Sequence, residues 1–355
     1  MSDRPTTDRT SPPTVLMFPD PARDSVNPYQ SLLAGALREA GSTVRGVSLR
    51  RLRRGSVLHV HWPEMPLHDP DTGRMLKRFG RLAAQVLLAR VRGVPVVWTV
   101  HNLRAHDGAR PGLQKLLWAT FPRLVDGWIS LSRTGVAAAR AEFPALRRAR
   151  SIVVHHGDYH SVTTRPDRAA ARRDLDLDTP GPVLAMVGRV KPYKGVEELV
   201  RAFAELPDPD ARLVVAGGCE DPGLRGRLEA AAAADPRFRP VLRRVPQEQL
   251  DAVLAAADLV VLPFASVFNS GSLLLCLSAG RRVLAPRTDV FAETAAEVGE
   301  AWLRLFDGPL GAGTLRAALA EPPATGAPDL HDHDWSRIAA EHRGFYAELA
   351  AARSR

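Results

Sequence analysis

Short apolar runs, each followed by a turn and then a stretch with helical periodicity, recur along almost the whole chain. In the first half they are Thr14 to Phe18, Val57 to His61, Val94 to Val100, Gly127 to Ser130 and Ser151 to His155. In the second they are Pro182 to Val187, Leu213 to Ala216, Leu259 to Pro263 and the segment around Val283 to Pro286. Runs this short, apolar on both faces and bounded by turn residues, suit strands buried in a parallel sheet. Strand, helix and strand in alternation predict a doubly wound α/β architecture. At 355 residues the chain exceeds one ordinary core and predicts two domains. The boundaries read as a disordered tail at 1–13, a first domain at 14–160, a polar, Pro-containing linker at 161–180 and a second domain at 181–330.

Composition narrows the class. The chain is 45% hydrophobic, which suits conventional cores and excludes global disorder. Cys219 and Cys276 share no metal-ligand spacing and imply a reduced, cytoplasmic protein. The first residues lack an apolar signal core, and no apolar run approaches the length of a membrane span. A net charge of +9 calls for anionic partners. Nucleic acid is a poor candidate, because zinc spacings and RNA-binding signatures are missing and few aromatics interleave with the cations. Arg50, Arg51, Arg53 and Arg54 form the densest cationic run, and Arg78, Arg81, Arg90 and Arg92 flank the apolar stretch from Leu82 to Val91. Cations beside an apolar helical face suit peripheral attachment to the inner face of an anionic membrane.

The segment Val187-Gly188-Arg189-Val190-Lys191-Pro192-Tyr193-Lys194-Gly195 joins a strand to the helical stretch from Val196 to Leu206. Helix N-terminal amides, close approach at Gly188 and the charges of Arg189 and Lys194 together make an anion site. A basic surface turn would look the same in isolation. Phe268-Asn269-Ser270-Gly271-Ser272 is a small polar loop running into an apolar helix, suited both to capping it and to offering amides and hydroxyls to phosphate. In open parallel sheets ligands collect outside the carboxyl ends of the strands. Those ends carry His59 and His61-Trp62-Pro63-Glu64, then Thr99-Val100-His101-Asn102, then His155-His156-Gly157-Asp158-Tyr159. Titratable groups therefore gather where a cleft would lie. The His155-His156 pair lacks further ligands at a convincing spacing, so no metal is expected.

The pattern G-R-x-x-P-x-K-G at 188–195 resembles the donor-diphosphate motif of GT-B glycosyltransferases, in particular the GT4 family. Leu213 to Gly218, Gln249 to Pro263, Ala279 to Pro286 and Trp335 to Leu349 resemble further family segments in the family's order. The resemblance implies two Rossmann-like domains facing across a cleft, with the helix in 331–355 returning to the first. It implies that Arg189 and Lys194 neutralise the diphosphate of a nucleotide sugar, assisted by Asn269, Ser270, Gly271 and Ser272. The T-x-H-N strand end implies that His101 lies at the reaction centre, supported by Asn102. Asn27, Tyr29, His61, Trp62, Glu64, His156 and Asp158 would line the acceptor side or the cleft. One departure stands out: the two glutamates typical of the family fall at Val267 and Leu275. The loop at 268–272 resembles instead that of glycosyltransferases in bacterial exopolysaccharide assembly.

The implied activity is hexosyl transfer from a nucleotide-diphosphate sugar to a hydroxyl of a saccharide, lipid-linked or natural-product acceptor. No metal or other cofactor is implied, since side-chain cations and helix dipoles serve the leaving group. Retention is the stereochemistry the family suggests, and inversion would need a general base such as Glu64 or Asp158. A nucleotide-sugar epimerase or hydrolase on the same fold, or a non-catalytic partner subunit lacking the glutamates, are the alternatives.

Overall fold

The computed structural model describes residues 12–22, 28–103, 110–264 and 267–353. The chain divides into two compact units, one of residues 1–157 with 332–355 and one of residues 158–331. Residues 1–11 and Asn27, a tail and a site residue in the sequence reading, lie outside the described residues.

Unit 1 runs β1 (Thr14–Phe18), α1 (Tyr29–Glu39), β2 (Val44–Gly46), β3 (Ser56–Val60), α2 (Thr72–Val91), β4 (Val96–Val100), α3 (Pro111–Thr120), β5 (Gly127–Ser130), α4 (Arg133–Glu142) and β6 (Arg150–Val153). Its six strands pair in parallel in the order β2-β1-β3-β4-β5-β6. Every residue of β3, β4 and β5 is buried, as expected where helices cover both faces of a parallel sheet. The last helix of the chain, numbered α12 below, is Trp335–Arg353 and belongs to this unit. It packs on α1, and Ile338, Phe345, Tyr346 and Leu349 join Leu33, Leu37, Val57, Val97 and Ile129 in one core.

Unit 2 opens with α5 (Arg168–Asp174), which packs against a later helix, α8. Then come β7 (Val183–Val187), α6 (Val196–Ala204), β8 (Arg212–Ala216), α7 (Pro222–Ala234), β9 (Phe238–Val241), α8 (Gln247–Ala256) and β10 (Leu259–Val261). The unit ends with α9 (Gly271–Ser278), β11 (Val283–Pro286), α10 (Asp289–Val298), β12 (Leu303–Phe306) and α11 (Ala312–Ala320). Its sheet is also parallel, in the order β12-β11-β10-β7-β8-β9. Side-chain caps start several helices: Asp71 Oδ1 accepts from Arg74 N at 2.7 Å, Asp221 Oδ1 from Leu224 N at 2.8 Å and Ser270 Oγ from Leu273 N at 3.1 Å. Each such cap contributes about 1 kcal/mol.

The strand orders place the sites. In unit 2 the chain moves outward from β7 through β8 to β9, then returns to lay β10 on the other side of β7. In unit 1 it moves from β1 to β2 and returns to lay β3 beside β1. The loops leaving β7 and β10, and those leaving β1 and β3, therefore diverge at the switch points where open sheets bind ligands.

Candidate active site

In unit 2, the turn after β7 is held against its neighbours by glycine. Gly188 has φ +104°, and a Cβ there would collide with Ser272 Oγ and stand 3.6 Å from Lys194 Nζ. A Cβ on Gly217, at the end of β8, would run into the Gly188 carbonyl. Only a bare backbone lets these strand ends close up. Gly195, at φ +68°, is the N-cap of α6 and lies under the Pro263 carbonyl. Lys194 and Ser272 thus converge on the Gly188 backbone, and Arg189 stands exposed beside them.

Lys194 is largely enclosed. Its ammonium lies over the Phe264 ring, 4.7 Å from the centroid. Burial, reinforced by the charges of Arg189 and Lys191, brings its pKa down to about 8. Lys191 is also paired with Glu220 at 3.3 Å. An ammonium desolvated among other cations gains most from an arriving anion. The Ser270 cap orients the first turn of α9, whose residues Gly271 and Ser272 contribute the adjoining amides and hydroxyl.

In unit 1, period-two geometry builds a ladder from two short motifs. His59 and His61 share one face of the chain leaving β3, and Thr99 and His101 share the matching face at the end of β4. His59 Nε2 and Thr99 Oγ1 lie 2.8 Å apart, and His61 Nδ1 and His101 Nε2 lie 3.1 Å apart. Tyr346 of α12 closes the lower rung, its hydroxyl 2.7 Å from His59 Nδ1. Trp62 stacks on His101 with centroids 4.3 Å apart and planes 23° from parallel. The Tyr29 ring meets His101 edge-on at 5.0 Å and His156 at 4.7 Å.

Burial holds these imidazoles neutral. It takes His61 down to about 3 and His156 to about 4, and drives His59 and His101 well below the ordinary histidine range. A neutral ring gives one donor and one acceptor, so the His61–His101 rung uses one of each. Glu64 follows Trp62 and Pro63 and caps the short 3-10 turn Met65–His68. Burial raises its carboxyl to about 7, against the opposing effect of its own backbone amide and of the Asn102 side chain that bonds to it.

The profile of the family described as glycosyl transferases group 1 matches residues 167–271. A GDP-mannose:glycolipid 4-beta-D-mannosyltransferase from Xanthomonas campestris pv. campestris is 34% identical over 340 residues, covering 94% of this chain and 92% of that one. The chain belongs to the group 1 glycosyltransferase family. A D-inositol 3-phosphate glycosyltransferase from Mycobacterium sp. strain KMS is 35% identical over 291 residues, covering 73% of this chain and 64% of that one. Sucrose-phosphate synthase from Thermosynechococcus elongatus superposes with a TM-score of 0.62 at 18% identity, covering 97% and 98% of the two chains. That likeness shows the fold of this glycosyltransferase to be GT-B.

The residues named from the sequence fall into separate groups in the glycosyltransferase. Arg189, Lys194, Ser270, Gly271 and Ser272 belong to unit 2, with Asn269 directly before the cap. Tyr29, His61, Trp62, Glu64, His101, Asn102 and His156 belong to unit 1. Asp158 belongs to unit 2, where it accepts from the backbone amide and Nδ1 of His160, each at 3.1 Å. Tyr29 differs from the loop residue expected. It is the first residue of α1 and has no exposed surface, so it fixes the histidine rings from behind. His61 is 1% exposed for the same reason: it is the second rung of the ladder. His59 is a core residue.

Four contributors were not named from the sequence. Tyr346 and His342 sit one turn apart on α12 and pack against His59, a spacing that resembles any buried helix face. Trp335 fills the space beside Gly157, where a Cβ would collide with its ring. Phe264, beneath Lys194, could have been suspected from the aromatic residue just beyond the β10 strand end.

Proposed function

We propose that this glycosyltransferase moves a hexosyl group from a nucleotide-diphosphate sugar to a hydroxyl of a saccharide carried on a lipid, the class of acceptor used in exopolysaccharide assembly. The observation that carries the donor half is the enclosed Lys194 ammonium beside Gly188 and Ser272, with Arg189 exposed next to it. In the transfer the bond from the anomeric carbon to the diphosphate oxygen breaks, and negative charge grows on the leaving group. Lys194, Arg189 and the α9 amides are the groups that offset it, which supports a reaction run without a metal ion. The named activity of the Xanthomonas relative makes GDP the first nucleotide to test and a glycolipid the first acceptor.

Two stereochemical courses are open to these residues. In the retention implied by the family likeness, the leaving diphosphate takes the acceptor proton on the face where the new bond forms. In inversion a carboxylate takes that proton from the opposite face. A specific observation favours the second: Glu64 is a buried carboxyl poised near 7 and bonded by Asn102. The relative is named for a β linkage, which an α-linked donor yields only by inversion.

The first experiment is a thermal-shift panel of UDP, GDP, ADP, dTDP and CDP on wild type and on Arg189→Ala/Lys194→Ala. A nucleotide at about 100 times its Kd adds roughly 2.7 kcal/mol of stability. One nucleotide should stabilise the wild type alone, and no shift with any of them would remove the donor site. Transfer is then followed with and without acceptor, since sugar released or epimerised in its absence would indicate hydrolysis or epimerisation. Glu64→Gln should lower kcat about 100-fold or more if Glu64 is the base. An anomeric assignment of the product by NMR gives the stereochemical course directly.

A further inference from the structure

Among the described residues, six of the seven exposed large hydrophobic side chains belong to unit 1: Leu49, Met65, Leu76, Leu87, Val91 and Leu116. Three of them lie on α2. At about 100° per residue, Leu76, Leu87 and Val91 fall within about 60° of one another, along a stripe about 22 Å long. Exposed Gly73, Gly80, Ala83 and Ala84 fill the rest of that side. A surface helix ordinarily turns its polar side outward. Here Met75, Leu82, Val86 and Ala89 face the core, and the outward side is apolar as well.

The charges fit one covering. Helix α2 carries Lys77, Arg81 and Arg90 and no carboxylate, with Arg74 and Arg78 paired to Asp69 at its N-terminal end. Beside its C-terminal end lies an open hollow of about 520 Å³, lined by Leu52, Arg53, Arg54, Arg90, Val91 and Arg92. Arg90 is neutralised there by Asp126 at 2.6 Å. Arg92 is held by the carbonyls of Leu49 and Leu52, at 3.0 and 2.8 Å, which orient its guanidinium without cancelling its charge. Arg53 and Arg54 are exposed at the same rim, and Val91 is 84% exposed. An apolar stripe bordered by arginines matches the interface of an anionic bilayer, where apolar side chains enter the acyl boundary and cations meet phosphate.

We propose that the outward side of α2 and the hollow at its end form a docking face for an anionic membrane. Leu76, Leu87 and Val91 enter the bilayer surface, and Arg53, Arg54 and Arg92 hold lipid phosphates. The inference draws its purpose from the lipid-linked acceptor proposed above, since docking brings the enzyme to such a substrate. Its measurement needs neither donor nor acceptor, so the two proposals fail independently.

The test is flotation of the full chain with phosphatidylcholine vesicles made with and without phosphatidylglycerol. The wild type should float with the anionic vesicles alone, and higher ionic strength should release it. Leu76→Ser/Leu87→Ser/Val91→Ser and Arg53→Glu/Arg54→Glu should each bind about tenfold more weakly or less. A far-UV circular dichroism spectrum and a melting temperature matching wild type would show that both variants are folded. A Leu87→Trp variant should shift its emission to the blue when anionic vesicles are added. Absence of wild-type flotation, undiminished binding by the triple variant, or unchanged Trp emission would overturn the proposal. So would a concentration-dependent dimer that the triple variant abolishes without any vesicle binding, since a second copy would then cover this face.

Discussion

Lys194 and Glu64 are both displaced towards neutrality by burial, with opposite consequences for pH. The fold lowers the Lys194 pKa from 10.5 to about 8, so the ammonium proposed to meet the diphosphate is lost as pH rises through that range. Nucleoside diphosphate affinity should fall between pH 7 and 9 by calorimetry, and this dependence should vanish in Lys194→Ala. Apo stability has the other sign: between about 8 and 10.5 the unfolded chain binds the proton that the folded lysine has shed, so stability rises with pH. Lys194→Ala and Arg189→Ala should each cost roughly 1.5–3 kcal/mol of diphosphate affinity, the range for charge-assisted bonds. Unchanged affinity in both would contradict the site. As the proposed base, Glu64 acts only once deprotonated, so kcat/KM should climb with an apparent pKa near 7. Glu64→Gln should flatten that limb while leaving donor affinity in place.

At the scale of elements, glycines decide how closely helices and strands approach. Gly127 opens β5, and a Cβ there would stand 2.8 Å from Phe345 Cζ on α12 and collide with Leu349 as well. Gly127→Ala should therefore destabilise unit 1 by about 1–3 kcal/mol through overpacking. Gly80 lies on α2 with nothing within 4 Å of a Cβ, and Gly80→Ala should stabilise by about 0.5–1 kcal/mol. Thermal denaturation of the two variants checks both signs. The contrast also marks what a sequence can disclose. The helix-period stretches and the longer apolar strands were legible because each is locally consistent. Strand β2 was not, because it has only three residues, and β9 was not, because Arg239 and Pro240 interrupt its pattern. The strand-end histidines were legible as a group, since any parallel strand delivers its last residues to the ligand-binding edge. Their individual roles were not, because β3 and β4 are both buried on both faces and neither shows an alternation that would separate core His59 from His101. Tyr29 follows Pro28 in a stretch that reads as loop, and its burial arises from packing against His101, His156 and Trp335.

For the whole molecule, the two units should respond differently to acid. Every buried histidine among the described residues belongs to unit 1, and His59, His61, His101, His156 and His342 are all held neutral by desolvation. An unfolded imidazole takes its proton near 6.5, whereas folded His156 and His342 resist until about 4 and His61 until about 3. As pH falls below 6.5 the unfolded chain therefore binds more protons than the folded one, and unit 1 loses stability. Each histidine can withdraw up to about 1.4 kcal/mol per pH unit in that window. The shifted acids of unit 2 titrate lower: Arg227 holds Glu197, and Arg237 holds Asp235, below their usual ranges, so their modest support is lost only at lower pH. With a typical domain stability of about 5–15 kcal/mol, unit 1 should open near pH 5 while unit 2 stays folded. Hydrogen exchange at pH 7 and pH 5, corrected for intrinsic rates, should show protection lost first in β3, β4 and α12. Equal loss in β7, β8 and α6 would mean that the histidine ladder does not govern acid stability. Raising the pH again should restore protection in unit 1, because its ladder needs only to shed protons to close.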